Sequence, residues 1–99
     1  MITERLVINV VPGREDEFEK ALSEARFVLH EAVGFRRFAV EQGVDRPSTY
    51  WVVIGWETEE ERQQFRDSDD FTEWATALDP YVQGTPTTER YDQRRDLSL

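Results

Sequence analysis

The sequence predicts an α+β fold in the order β-α-β-β-α-β, with a four-stranded antiparallel sheet and helices on one face. Three observations carry this expectation. Phe35 to Glu41 and Tyr50 to Trp56 are strand-like runs on either side of Gly43-Val44-Asp45-Arg46-Pro47-Ser48, a loop too polar to bury. The second run is rich in aromatic and β-branched residues, which suit a pleated, half-buried surface. Upstream, Phe18, Leu22, Ala25, Leu29 and Ala32 recur at spacings of four, three, four and three, the mark of one helical face turned to a core. Downstream, Thr58-Glu59-Glu60-Glu61 has the T-x-x-E form of a helix capping box.

Each element follows in turn. Leu6-Val7-Ile8-Asn9-Val10-Val11 is a nearly continuous apolar run, expected as a strand covered on both faces. Pro12-Gly13 breaks it. The first helix begins near Arg14 or Glu15, where Glu15, Asp16 and Glu17 complement the helix dipole, and is expected to end at Gly34. In the second strand Phe38 and Val40 are expected on one side, with Phe35, Arg37 and Ala39 on the other. The third strand places Tyr50, Val52, Ile54 and Trp56 on one face and Trp51, Val53 and Gly55 on the opposite face. The second helical region splits. Arg62 to Arg66 continues from the Thr58 cap, and Asp67-Ser68-Asp69-Asp70 interrupts it. Ser68 or Asp69 then caps a helix running through Leu78, whose apolar stripe is Phe71, Trp74, Ala75 and Leu78. Pro86 to Asp92 reads as a last strand with Thr87, Glu89 and Tyr91 on one face. Residues 1–92 therefore form one domain, and 93–99 a tail whose Leu97 and Leu99 are candidates for reaching a neighbouring subunit.

Composition narrows the function. The 99 residues contain no cysteine and one histidine, which argues against disulfides, thiolate catalysis and a structural zinc site. The net charge is −9, so nucleic acid is not an expected partner. Eleven of the twelve basic residues are arginine. No run approaches a membrane span, and the first residues, with Glu4 and Arg5, do not resemble a signal peptide. The expected location is the cytoplasm. Two helices cover only one face of the sheet, yet both faces of the third strand are apolar. Burying a large apolar side chain is worth roughly 1.5–3 kcal/mol, so the open face predicts a homodimer packed sheet to sheet.

Several motifs together resemble the antibiotic biosynthesis monooxygenase family, the dimeric α/β barrel proteins of ferredoxin-like fold. These are Val11-Pro12-Gly13 before the acidic Glu15-Asp16-Glu17-Phe18 helix start, and Gly34-Phe35-x-x-Phe38. Val53-Ile54-Gly55-Trp56-Glu57-Thr58 follows, then Phe65 with Ser68-x-x-Phe71. The resemblance covers about residues 2 to 92. It implies an enzyme acting on a small aromatic or planar organic molecule without metal or other cofactor, in which an electron-rich phenolate or enolate reacts directly with oxygen. It also admits a non-catalytic ligand-binding dimer, and a haem-binding or haem-degrading protein. The haem-degrading branch uses an Asn, a Trp and a His whose positions here fall near Leu6, Phe65 and Ala75.

The candidate base is His30, the only imidazole, set beside the stripe residue Leu29. The candidate substrate-binding set is Trp74, Tyr81, Phe65, Trp56 and Arg37. The aromatic rings would wall a flat ligand, and a strand arginine among apolar neighbours needs a partner. Trp51 and Phe71 belong to the same aromatic set, while Tyr50 and Tyr91 are further polar candidates. Asn9 is a candidate for orienting a carbonyl or for the dimer rim. Asp69-Asp70 reads as a helix cap. No phosphate loop, nucleophile elbow or metal-ligand spacing is present.

Overall fold

Period-two alternation organises the first strand of the computed structural model, which describes residues 1–98. In β1 (Ile2–Asn9), Glu4, Leu6 and Ile8 are buried, whereas Arg5 and Asn9 are exposed. Strand β2 (Phe35–Gln42) pairs with β3 (Thr49–Trp56), β3 pairs with β1, and β1 pairs with β4 (Thr87–Asp92). The sheet order is β2-β3-β1-β4, antiparallel throughout. This is the predicted ferredoxin-like architecture.

Helix α1 (Glu15–His30) buries Phe18, Leu22, Ala25 and Leu29 against the sheet. It ends four residues before the expected Gly34. Ala32 N–H and Phe35 N–H instead close turns onto Leu29 and Ala32, and Gly34 takes φ 83° to enter β2. Helix α2 (Glu59–Arg66) starts at the predicted capping box: Thr58 Oγ1 accepts from Glu61 N–H at 3.2 Å and donates to the Glu61 carboxylate at 3.0 Å. Ser68 Oγ accepts from Phe71 N–H at 3.3 Å, starting α3 (Asp69–Leu78). The break between α2 and α3 thus has a local cause, a second N-cap. A short 3₁₀ turn at Asp79–Tyr81 follows. Hydrogen bonds from Val11 N–H to Tyr81 O and from Gln83 N–H to Asn9 O then tie the segment after α3 to the end of β1.

The core lies between the helices and one sheet face. Trp56, Tyr50, Phe18, Leu29, Val10 and Val52 are almost wholly buried there. The expected phase of β2 fails at its first residue. A bulge lies between Phe35 and Arg37, so Phe35 pairs with Trp56 and Arg37 with Gly55. The extra residue, Arg36, turns Phe35 back to the helix side, where its ring meets that of Trp56 edge-on at 6.2 Å.

On the other face, β1 carries Arg5 and Val7, β2 carries Ala39, β3 carries Trp51 and Val53, and β4 carries Tyr91, as the register requires. Arg5 lies 5.4 Å from the Trp51 ring centroid and 5.3 Å from that of Tyr91, a cation held between two aromatic faces. Trp51 and Tyr91 remain 40% and 46% exposed. In the tail, Leu97 is exposed; Leu99 lies outside the described residues.

Candidate functional site

Side-chain size decides where the helix layer fails to close. Helix α3 presents Ala75 to the sheet between Phe71, Trp74 and Leu78, and β4 contributes only Thr88 beneath it. A cleft of about 250 Å³ remains. Leu6 and Ile8 of β1 line it, and Val82, Gly84 and Pro86 close one end. Its polar groups are few: Arg66, Thr88 and the exposed Asp79. Trp74 is 3% exposed, and its indole N–H is the one buried side-chain donor without an acceptor among the described residues. Leaving such a donor unmatched costs about 1–3 kcal/mol, a cost carried inside the core, since the nitrogen itself is closed to solvent. Aromatic rings lead to it in file. Trp56–Phe65, Phe65–Phe71 and Phe71–Trp74 centroids are 5.3, 6.1 and 6.2 Å apart.

Behind the cleft lies a buried ionic cluster. Glu4 shares the face of Leu6 and Ile8 and is 1% exposed. Its carboxylate accepts from Trp56 Nε1 at 2.8 Å, Arg62 Nη1 at 3.1 Å, and Arg66 Nε and Nη2 at 3.1 and 2.9 Å. Arg62 and Arg66 are one helical turn apart on α2, which lets both reach one carboxylate. Arg62 also donates to both Glu59 oxygens, and Arg90 of β4 donates to Glu59 at 2.6 Å. Arg66 stacks its guanidinium 4.7 Å from the centroid of Phe71.

The hydrogen bonds from Arg62, with those from Arg90, hold the Glu59 carboxyl down to about 2, against a desolvation that opposes them. A carboxyl whose folded pKa lies below its ordinary value binds fewer protons folded than unfolded. Its contribution is therefore present above about pH 4.5 and lost as pH falls through about 2. The thermal midpoint is expected to drop across that window. Glu59→Gln should flatten the drop, measured by circular dichroism melts of both proteins; parallel curves would remove Glu59 from the account. Tyr50 is pushed above its ordinary value by burial first, and then by its 2.6 Å hydrogen bond to Glu19.

The sequence model for antibiotic biosynthesis monooxygenase matches residues 1–77, most of the chain. The chain belongs to the antibiotic biosynthesis monooxygenase family. A Bordetella bronchiseptica protein provisionally assigned to the same function superposes with a TM-score of 0.88 at 31% identity, over 93% of this chain and 95% of that one. SnoaB, described as a cofactor-independent oxygenase from Streptomyces nogalater, shares the fold with a TM-score of 0.85 at 20% identity, over 99% and 97% of the two chains. The uncharacterised protein YczJ of Bacillus subtilis (strain 168) is 26% identical over 92 residues, covering 92% of this chain and 97% of that protein.

Within this antibiotic biosynthesis monooxygenase fold the sequence candidates scatter. Trp74 lines the cleft. Phe65 and Trp56 sit behind it as core, with Trp56 fully buried on Glu4. Tyr81 lies in a separate groove of about 310 Å³ between α1 and α3, which Trp74 also borders, and the Arg14 guanidinium covers its ring at 4.7 Å. Arg37 is not brought to the cleft. The bulge sets it opposite Gly55 on the helix-free face of the sheet, exposed and without an ion pair among the described residues. His30 does not reach the cleft either. It is exposed at the end of α1 and packs 4.9 Å from Phe35 on β2, while the cleft opens beside β4, the other edge of the sheet. Asn9 is on the open face and accepts from Thr49 Oγ1 at 3.0 Å.

Glu4, Arg66 and Thr88 were not among the sequence candidates. A signal existed for the first, since Glu4 has the same parity as Leu6 and Ile8. No group of three or more His, Asp or Glu side chains placed to hold a metal ion occurs among the described residues, and none of their helices is long and apolar enough to cross a membrane.

Proposed function

We propose that this protein is a monooxygenase that needs no cofactor, acts on a small planar phenol or enol, and works as a homodimer joined through the open sheet face. The observation that carries the reading is the cleft, with aromatic and aliphatic walls and few polar groups. Such a lining suits a flat, largely apolar ligand. Size supports a modest substrate. An apolar cavity of about 150 Å³ accepts benzene, so a cleft of about 250 Å³ suits one or two rings.

The chemistry balances without an added reductant. A phenol with a free ring position takes one atom of O₂ as a new carbonyl oxygen and becomes a quinone. Its two displaced hydrogens leave with the second oxygen atom as water. The walls' role is to exclude bulk water and hold the ring face towards oxygen.

The test is oxygen uptake by chelator-treated protein with a panel of one- and two-ring phenols, using ¹⁸O₂ to follow the atom into product. Uptake above the spontaneous rate is expected. Ala75→Phe, which fills the cleft from α3, should cut it at least tenfold while costing no more than about 1–3 kcal/mol of stability. Tight binding of the panel with no oxygen consumed would favour the ligand-binding dimer instead.

A further inference from the structure

The outer side of the helix layer carries charge that nothing in the described chain answers. Three shallow hollows of about 310, 200 and 170 Å³ lie end to end along the seam between α1 and α3. The first two share Val28 and Glu73, and the second and third share Glu31 and Asp70. Their lining is partly apolar, and Phe27, 61% exposed, stands at the rim. The charged residues that border them are all acidic. Among the described residues no lysine or arginine lines any of the three. Arg26 of α1 lies over the Phe27 ring and donates to Ser23.

Glu24, Glu31, Asp70 and Glu73 form no ion pair among the described residues. Elsewhere the carboxylates of Glu17, Glu57 and Glu59 each hold an arginine. Glu31 is the C-cap of α1, the end of a helix where the dipole favours a cation. The seam therefore combines an exposed aromatic, side-chain-sized hollows and unanswered negative charge. That charge repels nucleic acid and anionic lipid headgroups and attracts a basic surface.

We infer that the seam docks a basic amphipathic helix of a second protein. Helices α1 and α3 use their backbone groups internally, so an extended segment laid on them would bury unpaired backbone. A helix satisfies its own and can lie in the groove between two others. From Ala21 to Glu31 the seam is about 15 Å long, or roughly three turns. Glu24 and Glu31 are seven residues apart on one helical face, and Asp70 and Glu73 three apart on the other helix. The matching partner carries basic residues two turns apart on one flank and one turn apart on the other, with apolar side chains between them. The docking surface is on the α1 side of α3 and the cleft on the β4 side, so the inference does not rest on what the cleft binds.

The test titrates the ¹⁵N-labelled full chain with two synthetic helical peptides of about four turns. One has leucine on a single stripe with lysine and arginine on both flanks; the other has glutamate at every basic position. The basic peptide is expected to bind with Kd below about 100 µM, moving amide signals of α1 from Ala21 onward and of α3 from Asp70 to Ala77. The glutamate peptide should bind at least tenfold more weakly. Glu24→Gln with Glu73→Gln should weaken the basic peptide at least tenfold. Glu41→Gln with Asp45→Asn removes the same charge from exposed positions of β2 and its loop and should leave affinity within about twofold. This pair of variants separates docking from general attraction to a chain of net charge −9, and the amide spectra report that each variant is folded. Absence of binding at about 1 mM overturns the inference, as do signals moving on the open sheet face, or equal losses in the two double variants. Seam signals that shift when the protein alone is diluted would assign the surface to a second copy of this chain and overturn it likewise.

Discussion

Glu4→Ala is expected to destabilise the protein by about 3–5 kcal/mol, because removing one partner of a buried ion pair leaves the other charge uncompensated. Here three donors are stranded together: Arg62, whose side chain is 8% exposed, Arg66, and the indole N–H of Trp56. Glu4→Gln keeps the shape and part of the hydrogen bonding, so it should fall between wild type and alanine. The surface pair of Arg36 and Glu57 supplies the contrast. Its members are 58% and 51% exposed, and Arg36→Ala should cost no more than about 1 kcal/mol. Urea denaturation of the variants measures these differences. Equal losses for Glu4→Ala and Arg36→Ala would mean the cluster is not a support of the fold. The loss should also reach the cleft, since Glu4 orients Arg66.

Trp51→Glu is expected to break the proposed homodimer, weakening association at least about 30-fold, roughly 2 kcal/mol, as for a central aromatic anchor. Trp51 stands on the sheet face that no helix covers, 40% exposed, with Arg5 between it and Tyr91. A carboxylate there would put a charge on the apolar face that the proposed interface buries. Sedimentation velocity over a concentration series, with circular dichroism to verify the fold, separates dissociation from unfolding. A wild-type protein that sediments as a monomer at micromolar concentration would end the dimer proposal before the variant is made.

Much of the fold was legible because its signals are local. The α2–α3 break was readable from Thr58 and Ser68, each acting within three residues of itself. The α1 stripe was readable because Phe18, Leu22, Ala25 and Leu29 keep one helical phase. What escaped was set by partners distant in sequence. Glu4 looks like a charged residue near a chain start until Trp56, Arg62 and Arg66 converge on it from 52, 58 and 62 residues away. The Phe35 phase escaped because one bulged residue reverses the parity of the strand before it. His30 was singled out by its chemistry alone, and chemistry does not say which edge of a sheet a helix end overlooks. Trp74 sits in the cleft wall because the α3 stripe that carries it packs there, although nothing in the sequence indicated that its N–H would lack an acceptor.

The bulge at Arg36 also bears on how copies of this chain can meet. Strands β2 and β4 are the sheet's margins, and each offers unpaired backbone that an incoming strand would otherwise extend. On β2 the bulge twists that margin out of line, and Arg36 and Arg37 place like charges beside it. β4 is six residues long and carries Glu89, Arg90 and Asp92. With both margins blunted, lateral growth into fibrils is disfavoured, and the broad face around Trp51 is left as the surface on which a closed, finite assembly can form.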